Sequence, residues 1–150
     1  MSITDIPPLK VILLIEDMDA DAHLTKAAFR EGRLLVDLHR AIDGRDGLDF
    51  LYRKGEWTHA PRPDLILLDL NMPRMDGREF LAEVKKDKTL SSIPIVVLTT
   101  SEVERDIMVS YQNGASGYIV KPVDMLQFID AIRGLGDYWL TLVRLPPQDG

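Results

Sequence analysis

Residues 64–77 read DLILLDLNMPRMDG, an unbroken apolar run that ends at a carboxylate and is followed by a turn. The run at 65–68 has the length and composition of a short strand buried on both faces, as in a parallel sheet covered by helices. A charge directly after such a strand is expected only at a surface. In open parallel α/β sheets that surface is the carboxyl edge, where ligands bind. Pro73 and the pair at 76–77 predict a loop there, so Asp69 is predicted to lie at this edge.

Apolar runs alternate with helical patterns along the rest of the chain. Strands are predicted at 11–15, 36–41, 65–68, 95–98 and 117–120, and helices at about 20–31, 44–54, 78–87, 102–112 and from about 125. Asp19 is predicted to cap the first helix, and capping boxes are predicted at Asp76/Glu79, Ser101/Glu104 and Asp124/Gln127. Five strand–helix repeats indicate a parallel sheet with helices on both faces and right-handed crossovers.

The composition predicts one folded domain in the cytoplasm. The chain has 150 residues, of which 45% are hydrophobic and 28% charged, as in ordinary globular proteins. We expect a flexible arm at 1–9, the folded domain at 10–136 and an apolar tail at 137–150. A net charge of -6 without a Lys/Arg cluster argues against nucleic-acid and anionic-membrane partners. No apolar run approaches the ~18 residues of a membrane span, and the lack of cysteine suits a reducing compartment.

Polar residues follow four of the predicted strands at the point where each strand ends. Glu16 and Asp17 follow the first strand, Asp69 the third, Thr99 ends the fourth, and Lys121 follows the fifth. Taken singly, each carboxylate has an ordinary reading as a turn former or as a favourable charge at a helix N-terminus. Because the ends of parallel strands meet at one edge, we expect all five residues to converge there.

Such a group predicts a metal site that supports phosphoryl chemistry. Clustered carboxylates repel one another and raise each other's pKa unless a cation lies among them. Oxygen ligands without cysteine favour Mg²⁺ over zinc. A carboxylate beside that ion can act as a nucleophile toward a phosphoryl group, with the Lys121 charge and the Thr99 hydroxyl available for the phosphoryl oxygens. The residues therefore predict phosphoryl transfer to Asp69.

At these positions the sequence resembles the receiver domains of two-component response regulators. The resemblance is carried by the acidic pair at 16–17, DLNMPRMDG at 69–77, Thr99 and GASGYIVKP at 114–122, and it covers about residues 10–135. It implies a flavodoxin-like, doubly wound α/β fold with a five-stranded parallel sheet in the order 2-1-3-4-5 and five helices. It also implies a single-domain response regulator that signals through a phosphorylation-dependent surface change. Such a protein is not an enzyme beyond its own phosphorylation and dephosphorylation.

The resemblance implies roles around the acidic cluster. Asp69 would accept a phosphoryl group from a sensor histidine kinase. Glu16, Asp17, Asp69 and the backbone carbonyl of Asn71 would surround Mg²⁺. Lys121 would pair with the phosphoryl group, across a cis bond to the proline that follows it.

It also implies a switch and two positions that set the lifetime of the phosphate. Thr99 and Tyr118 match the switch pair, in which the hydroxyl moves toward the phosphate and the ring turns inward. Thr100 stands where many receivers have a smaller residue, so its branched side chain is expected to restrict the ring. Asn71 and Ser101 match the positions that influence water access, and Ser101 offers no carboxylate to orient a water molecule.

The apolar tail carries a narrower resemblance. Tyr138-Trp139-Leu140, with Leu145-Pro146, is similar to stand-alone regulators encoded with bacterial phytochrome kinases, many of which dimerise. This resemblance implies a phytochrome-type kinase as partner, while the downstream target stays unnamed. The tail either folds back on its own domain or forms a partner or homodimer surface, since a large apolar patch normally marks an interaction.

A pseudo-receiver is the alternative function. Such a module would bind partner proteins without being phosphorylated. The complete acidic set at 16–17 and Asp69 disfavours this alternative, and failure of the chain to take up phosphate would favour it.

Overall fold

The computed structural model of the protein describes residues 9–110 and 113–135. Within them, five strands alternate with five α-helices, as predicted, and a 3-10 turn at Gly55–Trp57 follows the second helix. The strands are β1 (Lys10–Ile15), β2 (Val36–Ala41), β3 (Leu65–Asp69), β4 (Ile95–Thr99) and β5 (Gly117–Val120). The helices are α1 (Asp19–Glu31), α2 (Gly44–Tyr52), α3 (Gly77–Lys86), α4 (Glu102–Ser110) and α5 (Met125–Arg133).

All five strands are parallel and lie in the order β2-β1-β3-β4-β5. The predicted flavodoxin-like order is therefore confirmed. β3 lies at the centre, where every residue from Leu65 to Asp69 is buried, which explains its unbroken apolar run. β2 lies at the edge and only Ala41 of its residues is buried, in keeping with its more polar sequence.

The sheet separates two hydrophobic layers. Successive side chains of a strand point to opposite faces, so Ile66 and Leu68 join the layer under α2, α3 and α4, while Leu65 and Leu67 join the layer under α1 and α5. In the second layer the ring of Phe128 meets that of Phe29 edge to face, with centroids 4.7 Å apart. Burial on both faces holds the strand ends in fixed positions relative to one another.

Side-chain caps begin several helices where the sequence predicts them. A carboxylate or hydroxyl oxygen accepts a hydrogen bond from the backbone amide three residues later, which satisfies one of the free donors of the first turn. These pairs are Asp76 with Glu79 at 2.9 Å, Ser101 with Glu104 at 3.1 Å and Asp124 with Gln127 at 2.8 Å.

The predicted capping of α1 by Asp19 is wrong. The N-cap residue is Met18, which makes no side-chain cap bond, and Asp19 is already the first residue of the helix. The Asp19 carboxylate instead accepts a hydrogen bond from the Arg40 guanidinium at 2.7 Å. An ion pair with a neighbouring strand has taken the place of the local cap.

Two predicted segments fall largely or wholly outside the part of the chain that the structure describes. They are the arm at 1–9, of which only Leu9 is described, and the tail at 137–150. The boundaries of arm, domain and tail therefore stay predictions. None of the helices in the described part is both long enough and apolar enough to cross a membrane.

Candidate functional site

The carboxyl edge of the sheet brings the predicted polar residues together. Asp69 is the last residue of β3 and Thr99 the last of β4, while Glu16 follows β1 and Lys121 follows β5. Glu16, Asp17 and Asp69 each offer a carboxylate oxygen, and these atoms lie within 4.8 Å of one another. Asp69 is only 3% exposed, and Glu16 and Thr99 are fully buried. Three acidic side chains thus share a small space that is largely shielded from water.

The Lys121 ammonium is the cation of this cluster. Its Nζ lies 2.5 Å from Glu16 Oε1, 3.2 Å from Asp69 Oδ1 and 2.9 Å from Asp21 Oδ2. The peptide bond from Lys121 to Pro122 is cis. Asp21, on the first turn of α1, was not among the predicted site residues. Its place in the acidic stretch at 16–21, directly after β1, is the signal that could have identified it.

Burial and charge shift the pKa values of these groups. Burial raises the pKa of Glu16 from its ordinary value of 4.5 to about 7, against the opposing effect of Lys121. Burial also raises the pKa of Asp69, although Glu16 and Lys121 oppose the rise. Burial alone would lower the pKa of Lys121, but the bonds to Glu16 and Asp21 and the charge of Asp69 raise it above its ordinary value. For both carboxylates, the cost of burying the charge therefore outweighs the stabilisation from the Lys121 ammonium.

Two carboxylate oxygens of the acidic cluster have the surroundings expected of ligands to a cation. Glu16 Oε1, despite its charge contact with the ammonium, and Asp17 Oδ1 are buried and have no hydrogen-bond partner among the described residues. A buried carboxylate oxygen left without a partner is costly. Clustered carboxylate oxygens are the ligands that a hard divalent cation such as Mg²⁺ prefers. The donor set therefore fits such an ion.

The loop after β3 passes close to this pocket. Gly77 donates its amide to the Leu70 carbonyl at 2.8 Å, and a side chain at this position would lie 2.6 Å from the Asp69 carbonyl oxygen. Only glycine fits so near the backbone, which accounts for the Asp-Gly pair in the motif. Asn71 is exposed in this loop, and its side-chain amide donates to Glu104 Oε2 at 3.1 Å.

The predicted switch residues make contacts away from the acidic cluster. The Thr99 hydroxyl donates to the Ser101 carbonyl at 3.2 Å. Tyr118 is half-buried against the core, and its hydroxyl donates to Asn113 Oδ1 at 2.9 Å.

Ser101 caps α4, and a carboxylate does lie near this position. Glu104 accepts from the Thr100 amide at 3.3 Å and from Asn71. Glu104 was not predicted as a neighbour of the site, because its pairing with Ser101 indicates only a capping box.

The family model of the response regulator receiver domain matches residues 12–133 of this chain. The chain belongs to this receiver family. Response regulator Rcp1 of Synechocystis sp. is 42% identical over 139 residues, which is 93% of this chain and 95% of Rcp1. The crystal structure of the Mn²⁺-bound form of Rcp1 matches with a TM-score of 0.69 and 41% identity, covering 92% of this receiver and 99% of that chain.

Two further structures are similar to this receiver. The bacteriophytochrome response regulator AtBRR matches with a TM-score of 0.83 and 40% identity, over 89% of this chain and 96% of that one. The phosphorylated cyanobacterial phytochrome response regulator RcpA matches with a TM-score of 0.70 and 42% identity, over 89% and 95% of the two chains. The predicted family is confirmed, as is the likeness to phytochrome-associated regulators. The chain is a response-regulator receiver of two-component signalling, and its acidic pocket is compatible with Mg²⁺.

Proposed function

We propose that Asp69 is the residue on which this receiver accepts a phosphoryl group from the histidine of a sensor kinase. The observation that supports this assignment most directly is the buried Asp69 carboxylate, which faces two further carboxylates and one ammonium at the carboxyl edge. We further propose that Glu16, Asp17, Asp69 and the backbone carbonyl of Asn71 hold Mg²⁺. The buried carboxylate oxygens without hydrogen-bond partners support this ligand set.

The residues of the pocket have the chemistry that the transfer requires. An Asp69 oxygen attacks phosphorus, so an O–P bond forms as the P–N bond of the phosphohistidine breaks and its electron pair stays on the histidine nitrogen. Mg²⁺, when bound, offsets charge on the phosphoryl oxygens. Lys121 donates to one of these oxygens as a point charge. In hydrolysis, a water oxygen attacks phosphorus and the bond from phosphorus to the Asp69 oxygen breaks. The Asp69 carboxylate is regenerated and inorganic phosphate leaves.

The phosphoryl group then changes the surface through Thr99 and Tyr118. The Thr99 hydroxyl, which donates to the Ser101 carbonyl, donates instead to a phosphoryl oxygen. The Tyr118 ring leaves Asn113 and turns inward into the space that the hydroxyl vacates. A coupling of ~1–3 kcal/mol between these two states would let a partner distinguish them. Asn71 and Ser101 control access of water to the phosphoryl group and hence its lifetime.

A phytochrome-type histidine kinase is the proposed donor. This choice is supported by the likeness to AtBRR and RcpA, whose names assign them to phytochrome signalling. We also propose a cytoplasmic location, which the lack of cysteine suits.

Intact mass spectrometry after incubation with acetyl phosphate tests the proposed acceptor. Wild type should gain the mass of one phosphoryl group only when Mg²⁺ is present. Asp69→Asn, which keeps the size of the side chain but removes the nucleophile, should gain none. If a known receiver is labelled under the same conditions and this chain is not, the protein is a pseudo-receiver that binds partners without phosphorylation.

We also propose a homodimer that is formed through the apolar tail at 137–150. The apolar composition of the tail supports this proposal, since its sequence includes Tyr138, Trp139 and Leu140. Sedimentation should show a dimer for the full chain and a monomer after truncation following Gly136. A monomer at both lengths would reject the homodimer.

A further inference from the structure

Several carboxylates hold the ammonium of Lys121 at once, and one of them, Asp21, accepts a hydrogen bond from it. An ammonium carries three N–H donors, and three carboxylates surround this one, at 2.5 Å from Glu16, 2.9 Å from Asp21 and 3.2 Å from Asp69. A phosphoryl oxygen must therefore compete with these carboxylates for the Lys121 ammonium. Which of the three carboxylates competes most strongly with the phosphoryl group depends on how much negative charge each one keeps when Mg²⁺ is bound and Asp69 is phosphorylated.

Asp21 differs from the other two partners. Glu16 and Asp69 belong to the cluster of carboxylates that could share a cation, and Asp21 does not. When Mg²⁺ is held by the proposed ligands, the charge of Glu16 is offset. When Asp69 is phosphorylated, its own carboxylate charge is lost to the acyl phosphate. Asp21 keeps its full charge in both cases.

Within residues 9–110 and 113–135, Asp21 also has no second ion-pair partner that would compete with Lys121. Its side chain is 34% exposed, and Lys121 is the only cation with which it forms an ion pair among the described residues. The neighbouring Asp19 is by contrast 94% exposed and pairs with Arg40. Asp21 therefore holds the ammonium from α1, whereas the phosphoryl group would be attached at the end of β3.

We propose that Asp21 is a positioning residue that restrains Lys121 and thereby lowers the phosphorylated fraction of this receiver. A phosphoryl group brings a charge of about -1.5 to -2 and three acceptor oxygens to Asp69. Asp21 competes with these oxygens for the Lys121 donors, and its charge repels the phosphoryl group across the ammonium. This inference rests on the proposed function, because it assigns Asp21 a part in the same reaction.

The test compares Asp21→Asn with a matched control. Both Asp21→Asn and Asp19→Asn remove one negative charge from the first turn of α1 and preserve side-chain size, but only the first removes a Lys121 partner. In Mg²⁺ and a fixed concentration of acetyl phosphate, Asp21→Asn should raise the ratio of phosphorylated to unphosphorylated protein by about three- to tenfold. Asp19→Asn should leave this ratio within about twofold of wild type. Asp21→Ala serves as a second variant, and urea unfolding shows whether each variant is folded.

A second measurement needs no phosphoryl donor. The ¹⁵N resonance of the Lys121 ammonium, assigned with Lys121→Arg, should shift in Asp21→Asn, and its hydrogens should exchange faster with water. Asp19→Asn should leave both unchanged. If wild type gains no phosphoryl group, the proposed function fails while the resonance still tests the restraint. An unchanged Lys121 resonance, or a phosphorylated ratio that is equal to or lower than that of wild type, would overturn the role of Asp21.

Discussion

Two aspartates of this receiver are equally buried, yet their surroundings differ. Asp43 and Asp69 are each 3% exposed. Asp43 Oδ1 accepts from the Asp46 amide at 2.8 Å, and Oδ2 lies 2.6 Å from two nitrogens of the Arg74 guanidinium. Among the described residues, Asp69 pairs with one cation, Lys121, which also pairs with Glu16 and Asp21. A buried charge with its own partners holds structure together, whereas one that competes for a partner is suited to receive a ligand.

The two regions are joined by the loop that follows β3. Arg74 lies in this loop, and the Gly44 amide at the start of α2 donates to the Met75 carbonyl at 3.1 Å. Arg74 has a φ of 63°, in the left-handed region that is unfavourable for arginine. Its ion pair with Asp43 offsets this strain. Asp43 therefore fixes the loop that carries Asn71 close to Asp69.

Removing the Asp43 carboxylate should have the largest effect on the free energy of unfolding. Asp43→Ala removes the N-cap of α2 and leaves Arg74 without its partner, so the free energy of unfolding should fall by about 2–3 kcal/mol. Asp43→Asn keeps a capping oxygen and should lose about half as much. Urea unfolding measures both values. Unchanged stability in Asp43→Ala would mean that the Asp43 bridge is not structural.

The affinity of the acidic pocket for Mg²⁺ should depend on pH. Because burial raises the pKa of Glu16 to about 7, the metal-free protein holds a proton there that Mg²⁺ must displace. Affinity measured by calorimetry should fall by up to about tenfold per pH unit below pH 7. The metal-free protein should also lose stability as pH rises from 4.5 to about 7, since the folded state binds this proton more tightly than the unfolded chain.

Glu16→Gln is the control for this dependence. The variant has no titrating carboxyl group at position 16, so most of the change in Mg²⁺ affinity between pH 7 and about 5 should disappear. A wild-type affinity that is constant over this range would contradict the raised pKa.

Asp69→Asn should act in the opposite direction to Asp43→Asn. In a chelator at pH 8, it removes one of several neighbouring negative charges, so the free energy of unfolding should rise by about 1 kcal/mol despite the loss of one contact with Lys121. The stabilisation that wild type gains from Mg²⁺ should shrink in this variant. Denaturant unfolding with and without Mg²⁺ measures both effects. If metal-free Asp69→Asn is instead less stable than metal-free wild type, the charge of Asp69 is stabilised by its partners, as the charge of Asp43 is.

The smallest effect concerns the strained backbone at Arg74. Arg74→Gly and Arg74→Ala both remove the guanidinium, but only alanine keeps the cost of the left-handed φ. The glycine variant should therefore be more stable than the alanine variant by about 0.5–1 kcal/mol. Equal stabilities in urea would show that the loop relaxes once the ion pair is lost.

Local patterns were enough to predict the alternation of strands and helices, and the topology that follows from them brought the polar strand ends together. The buried run at 65–68 indicated a central parallel strand, and capping residues such as Asp76 and Asp124 gave helix starts because they act on amides only three positions away. The meeting of Asp69 with Lys121 was predictable from topology, since parallel strands end at one edge.

Contacts between side chains on different elements could not be predicted in this way. Asp19 fits the pattern of a helix cap, yet its carboxylate pairs with Arg40 on β2. Glu104 fits a capping box, and the structure also places it against Asn71 in another loop. In both cases a residue type allows several partners, and the distances between packed elements select one.

The sequence thus predicted the alternation of strands and helices, three of the helix caps and the meeting of polar residues at one edge of the sheet, because periodicity and short-range hydrogen bonds are written along the chain. The strand order was implied by the resemblance to receiver domains. Only the tertiary structure decided that Asp21 reaches Lys121, 100 positions away, and that Arg74 rather than another cation satisfies Asp43. Ion pairs depend on where whole helices and loops pack and on which side-chain direction is open. These are properties of the folded core, which sets the distances between charges that the sequence leaves far apart.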